Sequence, residues 1–172
     1  IYLSIETRGV AITVPPGGFD DPSGDEWADG ASIEISVSEL DDDELARWTE
    51  NLRSSAADDN RLTLQGGIFD LNVEVKEGST KTKLARFKER VTLEIPYNDA
   101  SGREEKLGVY RYDPESDTWQ YVGGKVDTDA KKVAARTGRF SHYAVMEFFR
   151  SFDDIKGHPA QDDIETLASK HI

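Results

Sequence analysis

Apolar and polar residues alternate along most of this chain, and the alternation is cut at short intervals by turn-forming residues. Ile1-Tyr2-Leu3-Ser4-Ile5 and Val10-Ala11-Ile12-Thr13-Val14 read as strands, the second halted by Pro15-Pro16-Gly17-Gly18. Ile33-Glu34-Ile35-Ser36-Val37 has the period of two expected of a half-buried strand. Further strand patterns cover 61–65, 68–75, 85–95, 107–112, 118–122, 131–135 and 141–148. Between them lie Gly66-Gly67, Glu77-Gly78-Ser79, Asp113-Pro114-Glu115-Ser116-Asp117, Gly123-Gly124 and Thr137-Gly138, residues that tolerate turn dihedrals.

Two segments break this rhythm. From about Asp42 to Arg53 the period becomes helical, with Leu45, Trp48 and Leu52 on one face. Ser38 or Asp41 caps it, and acids fill its first turn, where they complement the helix dipole. After a loop at 151–159, Ala160 to Lys170 reads as a second helix, with Ile164, Leu167 and Ala168 on one side. Short strands with frequent turns and no strand–helix alternation predict a mainly β chain: an antiparallel β-sandwich with one inserted helix and a C-terminal helix. A domain boundary is expected near Phe149–Phe152, separating a sandwich at 1–149 from a shorter unit at 150–172. Both ends fall within a pattern, so the chain reads as a piece of a longer polypeptide.

At 172 residues the chain suits one domain with a fragment of a second. It holds no cysteine, which excludes disulfides, thiol catalysis and cysteine-bound metals. No apolar run approaches the roughly 18–20 residues of a membrane span. The net charge of −13 opposes nucleic-acid phosphates and anionic lipid, so neither is expected as a partner. That charge is concentrated. Residues 20–60 carry 14 acids against Arg47 and Arg53, while the remaining 20 acids and 19 bases nearly cancel. A solvated acidic surface is the plain reading. Clustered carboxylates also suit Ca²⁺, and Asp20, Asp21 and Asp25 in the Pro-Gly-rich loop are the candidate ligands; no other cofactor is expected.

The C-terminal residues carry a family resemblance. Phe152, Asp154, Ile155, Gly157, His158, Ala160, Ile164, Leu167 and Ile172 stand where S-layer homology repeats have F-x-D-[IV]-x-G-H-x-A-x-x-x-I-x-x-L-x-x-x-x-I. One position departs: the family usually has Trp where this chain has Pro159. The resemblance covers the first helix of one repeat, and these positions are carried over as structural ones. It implies a bacterial cell surface, and binding of cell-wall polysaccharide through the complete repeat region of the parent protein. The body is similar to sandwich modules that precede such repeats. Phe140-Ser141-His142-Tyr143-Ala144-Val145 matches an F-S-x-Y-A-V ending, and Gly9-Val10-Ala11-Ile12-Thr13-Val14-Pro15-Pro16-Gly17 resembles the opening of ZU5-type sandwiches.

No catalytic residue is assigned. No nucleophile elbow, P-loop, zincin or dinucleotide fingerprint occurs, and only three histidines are present: His142, His158 and His171. Some ZU5-related modules cleave themselves at His-Phe-Ser. Here Arg139 replaces that His, and arginine stays protonated and is a poor general base. Asp113, Glu115 and Asp117 read as a hairpin turn rather than a Ca²⁺ loop, which needs a central Gly and a distal Glu. Of the aromatics, Trp48 reads as core. Tyr110, Tyr112 and Trp119 read as cross-strand pairs. Trp27, in a polar loop, is the tryptophan without an evident packing role, and so the candidate for sugar stacking. The expected function is a non-catalytic spacer beside a wall-anchoring region. The alternatives are a carbohydrate-binding module of an envelope-attached glycan-degrading protein and a sandwich that cleaves itself at Phe140-Ser141.

Overall fold

The computed structural model describes residues 2–21, 26–55, 60–98, 100 and 102–172. Eleven strands among these residues form two antiparallel sheets. The first contains β1 (Leu3–Thr7), β2 (Val10–Val14), β6 (Arg86–Pro96), β10 (Lys132–Arg139) and β9 (Lys125–Asp127), in the order β1-β2-β6-β10-β9. The second runs β3 (Ser32–Glu39), β4 (Asn60–Glu77), β11 (Ser141–Arg150), β7 (Leu107–Asp113), β8 (Thr118–Gly123), with β5 (Thr80–Lys83) also on β4. The expected sandwich is therefore present. Its core forms where the inward positions of both sheets meet: Ile12, Val91, Leu93 and Ile95 from one, Leu71, Val73, Val109, Tyr143 and Val145 from the other.

Helix α1 (Asp42–Ser55) covers the outer face of the second sheet. Its cap is Asp41, whose Oδ1 accepts the Glu44 N–H at 2.9 Å, while Glu44 Oε2 accepts the Asp41 N–H at 3.4 Å. This reciprocal pair satisfies two donors that the first helical turn leaves open. Leu45, Trp48 and Leu52 then meet Ile68, Tyr110, Ala144 and Met146, so β11 is buried on both faces.

One sequence expectation changes. Gly66-Gly67 does not end a strand. β4 runs through it, and the register with β11 shifts between Ala144 and Met146. Gly66 has φ +154°, and a Cβ there would lie 3.2 Å from the Pro96 carbonyl oxygen, so glycine serves close backbone approach within a continuous strand. The last helix is α2 (Gln161–Ser169), within the expected 160–170. It rests on β11 and on the 3₁₀ turn Glu104–Lys106, and the side chains it buries are Glu165 and Ser169. The side carrying Ile164 and Leu167 stays more open: Ile164 is half-buried and Leu167 is 51% exposed. The reason is Lys106. Its ammonium needs an acid once covered, and Glu165 supplies one at 3.1 Å, with Gln161 Nε2 donating to the other carboxylate oxygen at 2.9 Å. No helix among the described residues is long and apolar enough to cross a membrane.

Tyr143 ties the two sheets at the β10–β11 crossing. Its hydroxyl donates to the Arg139 carbonyl at 2.5 Å and accepts from Thr137 Oγ1 at 2.7 Å. Burial pushes its pKa up to about 12, and pushes that of Tyr110 higher still. In the unfolded chain a tyrosine titrates near pH ~10. The folded value is the higher one, so the contribution to stability is complete below pH ~10 and is lost as pH rises through about 12. For Tyr143 that contribution amounts to about 3 kcal/mol. Denaturant melts from pH 8 to 12 are expected to show a steep loss of stability above pH ~10. Tyr143→Phe is expected to start about 1–2 kcal/mol less stable, because it orphans the Arg139 carbonyl, but to lose less over the same window. Equal alkaline losses in both proteins would contradict this account.

Candidate functional site

β5 and β11 lie end to end along one edge of β4. Lys83 pairs with Glu74, the Leu84 N–H donates to the Val73 carbonyl, and Ser141 pairs with Leu71. Between them the chain crosses twice to the other sheet, at Leu84-Ala85 and at Arg139-Phe140, which are joined by the Phe140 N–H on the Ala85 carbonyl at 3.4 Å. β7 pairs with β11 but not with β5. The missing pairing leaves a notch beside the β7–β8 turn, a cleft of about 520 Å³. Volumes of roughly 300–1,000 Å³ are typical of small-molecule sites.

Asp70 and Asn72 come from β4, Lys83-Leu84-Ala85 from the β5 end, Arg111 through Glu115 from β7 and its turn, and Arg139 through His142 from the second crossing. Neighbouring side chains hold the floor in place. Asn72 Nδ2 donates to Asp70, and His142 Nε2 lies 3.8 Å from the other Asp70 oxygen. Asp113 Oδ2 accepts from Gln120 Nε2 at 2.7 Å and from Ser116 Oγ at 3.0 Å. Arg111 donates to Gln120 Oε1 at 2.6 Å. Among the described residues no acid forms an ion pair with Lys83, Arg111 or Arg139, and no base forms one with Glu115.

Aromatic rings back the notch. Tyr112 meets Trp48 edge-on, with centroids 4.4 Å apart, and sits opposite Trp119 in the β7–β8 register at 5.7 Å. His142 packs against Trp48 at 5.2 Å. Tyr112 also donates to Asp117 Oδ1 at 2.5 Å, a bond that holds its phenol proton and raises its pKa. On the other side Phe140 packs against Phe87 at 4.3 Å. These contacts fix the wall before any ligand arrives. At Phe140-Ser141, the Ser141 hydroxyl donates to the Tyr112 carbonyl at 2.7 Å, whereas His142, the next residue on the strand, faces Trp48.

The residues singled out from sequence lie elsewhere. Trp27 is half-buried, and its indole N–H donates to the Phe19 carbonyl at 2.8 Å. Asp20 is 3.5 Å from the Lys88 ammonium, Asp21 is half-buried, and Asp25 lies outside the described residues. Among the described residues no three His, Asp or Glu side chains converge as a metal site would require. The C-terminal motif positions build a turn and a helix start. Arg150 lies 4.9 Å over the Phe152 ring, and Asp154 and Ile155 sit in a 3₁₀ turn. Gly157 takes φ +76°, and its N–H donates to Gln161 Oε1. His158 Nδ1 accepts the Ala160 N–H at 3.1 Å, and the Ala160 carbonyl accepts the Ile164 N–H. Leu167 and Ile172 are exposed. Sequence reasoning missed Asp70, Asn72, Lys83 and Arg111 as site residues, because they are distant in the chain and meet only through sheet topology.

No protein-family model matches the chain. It is similar to an amylopullulanase from Thermoanaerobacterium thermosulfurigenes, at 41% identity over 81 residues. That stretch is 46% of this chain and 4% of that protein, so the chain corresponds to a small part of its relative.

Proposed function

We propose that this chain is a non-catalytic, carbohydrate-contacting β-sandwich of a glycan-degrading protein held at a bacterial envelope. The observation that carries this reading is the 41% identity to an amylopullulanase, a protein named for amylose-type glucans and pullulan. The pre-packed notch, with charged and amide groups beside aromatic rings, supplies chemistry suited to sugar hydroxyls. Residues 150–172 open an S-layer homology repeat that continues toward the wall, and the complete repeat region binds wall polysaccharide. In support, α2 docks through its polar Glu165 side while Leu167 and Ile172 remain exposed, which leaves apolar surface for further helices of a repeat.

A second reading, a passive spacer, draws on the buried Lys106–Glu165 pair, which fastens α2 to the sandwich and stiffens the junction. Native electrophoresis of the chain through gels containing pullulan, soluble starch or purified wall polysaccharide separates the two. Retardation by an α-glucan is expected. Unchanged mobility in every gel would overturn carbohydrate contact and leave the spacer.

A further inference from the structure

We infer that the notch between β5 and β7 is the glycan-contacting site, and that it seats a neutral hexose unit of an α-glucan. This rests on the carbohydrate-contacting reading above. The chain carries a net charge of −13, yet Lys83, Arg111 and Arg139 converge on one cleft, and no acid forms an ion pair with any of them among the described residues. Three carboxylates, Asp70, Asp113 and Glu115, line the same cleft. The formal charges of these six groups therefore cancel. A polyanion would meet those carboxylates at close range, and a cation would meet the guanidinium groups. A neutral ligand rich in hydroxyls uses both sets. Each sugar hydroxyl can donate to a carboxylate and accept from an ammonium, guanidinium or amide, which is the complement of donors and acceptors present here. The Tyr112 and Phe140 rings offer apolar surface to the C–H face of a pyranose.

The test is isothermal titration of the whole 172-residue chain with three probes: maltotriose, cellotriose and a glucuronate-containing trisaccharide. Arg139→Ala and Asn72→Ala act at the notch, and Lys125→Ala on β9 serves as the distant control. Arg139 is exposed, so its removal should leave the thermal melt unchanged. Maltotriose is expected to bind the parent chain and Lys125→Ala alike, and to bind both notch variants at least tenfold more weakly. Equal binding by all four proteins would overturn the notch as the site while leaving carbohydrate contact intact. Binding of the glucuronate probe alone would overturn the neutral-ligand assignment, and preference for cellotriose would overturn the α-glucan. Binding of no probe would overturn this inference, and the polysaccharide gels then decide the carbohydrate reading on their own.

Discussion

Glu165→Ala is expected to release α2 from the sandwich. Glu165 and Lys106 have side chains only 6% and 8% exposed, and they meet at 3.1 Å. Gln161 donates to Glu165 as well, and the Lys106 ammonium lies 5.3 Å from the Phe149 ring centre. These hydrogen bonds, with Lys106 beside it, hold the Glu165 carboxyl below its ordinary pKa. Removing the acid leaves a lysine covered without a partner, which costs about 3 kcal/mol. The protein has a cheaper response than global unfolding: lifting α2 lets water reach Lys106. The loss of global stability should therefore be smaller than the local loss. Limited proteolysis is expected to cut Glu165→Ala within 150–160 much faster than the parent, leaving the sandwich intact. Lys106→Met combined with Glu165→Met should restore much of the protection, since an apolar pair needs no desolvated charge. If Glu165→Ala is as resistant as the parent, the ion pair does not hold the helix.

The second large effect is expected at Trp48. Its ring touches Tyr112, Trp119 and His142, at centroid distances of 4.4, 5.6 and 5.2 Å. These contacts join α1 to the outer face of the second sheet and brace one wall of the notch. Trp48→Ala is expected to cost about 3 kcal/mol, the low end for removing a large aromatic, because Trp48 is only half-buried. For a chain of this size that lowers Tm by about 6–12 °C. Thermal unfolding followed by circular dichroism measures it. A Trp48→Phe protein should recover over half of the loss, and a shift under 2 °C for Trp48→Ala would contradict the bracing role.

Both effects bear on how much was legible in the chain. The period-two segments gave the strands at 10–14, 32–39 and 107–113 because each buries alternate residues in a shared core. The acids before Leu45 gave the helix start, and the Asp41–Glu44 cap is local chemistry. β5 was missed because all four of its residues are exposed, so no apolar rhythm marks it. β4 was read as two strands because Gly66-Gly67 signals a turn, whereas continuous pairing with neighbours overrides that local preference. The docking of α2 was hidden for a different reason. Lys106 and Glu165 are 59 residues apart, so no local pattern links them. The notch was hidden most completely. Its aromatics were noticed as cross-strand pairs and Arg139-Phe140-Ser141-His142 as a motif, but nothing in sequence brings Asn72 or Lys83 to them. That happens only where two crossings leave one sheet edge unfilled.

The central claim is that a sugar sits in that gap. A titration of the ¹⁵N-labelled chain with maltotriose, read as amide shifts, tests it most directly. The account predicts saturable shifts at Asn72, Lys83, Arg111 to Asp113 and Arg139 to His142, with Trp27 and the amides of β1 unmoved. Saturable shifts centred on Trp27 and the neighbouring loop, with the notch silent, would contradict it.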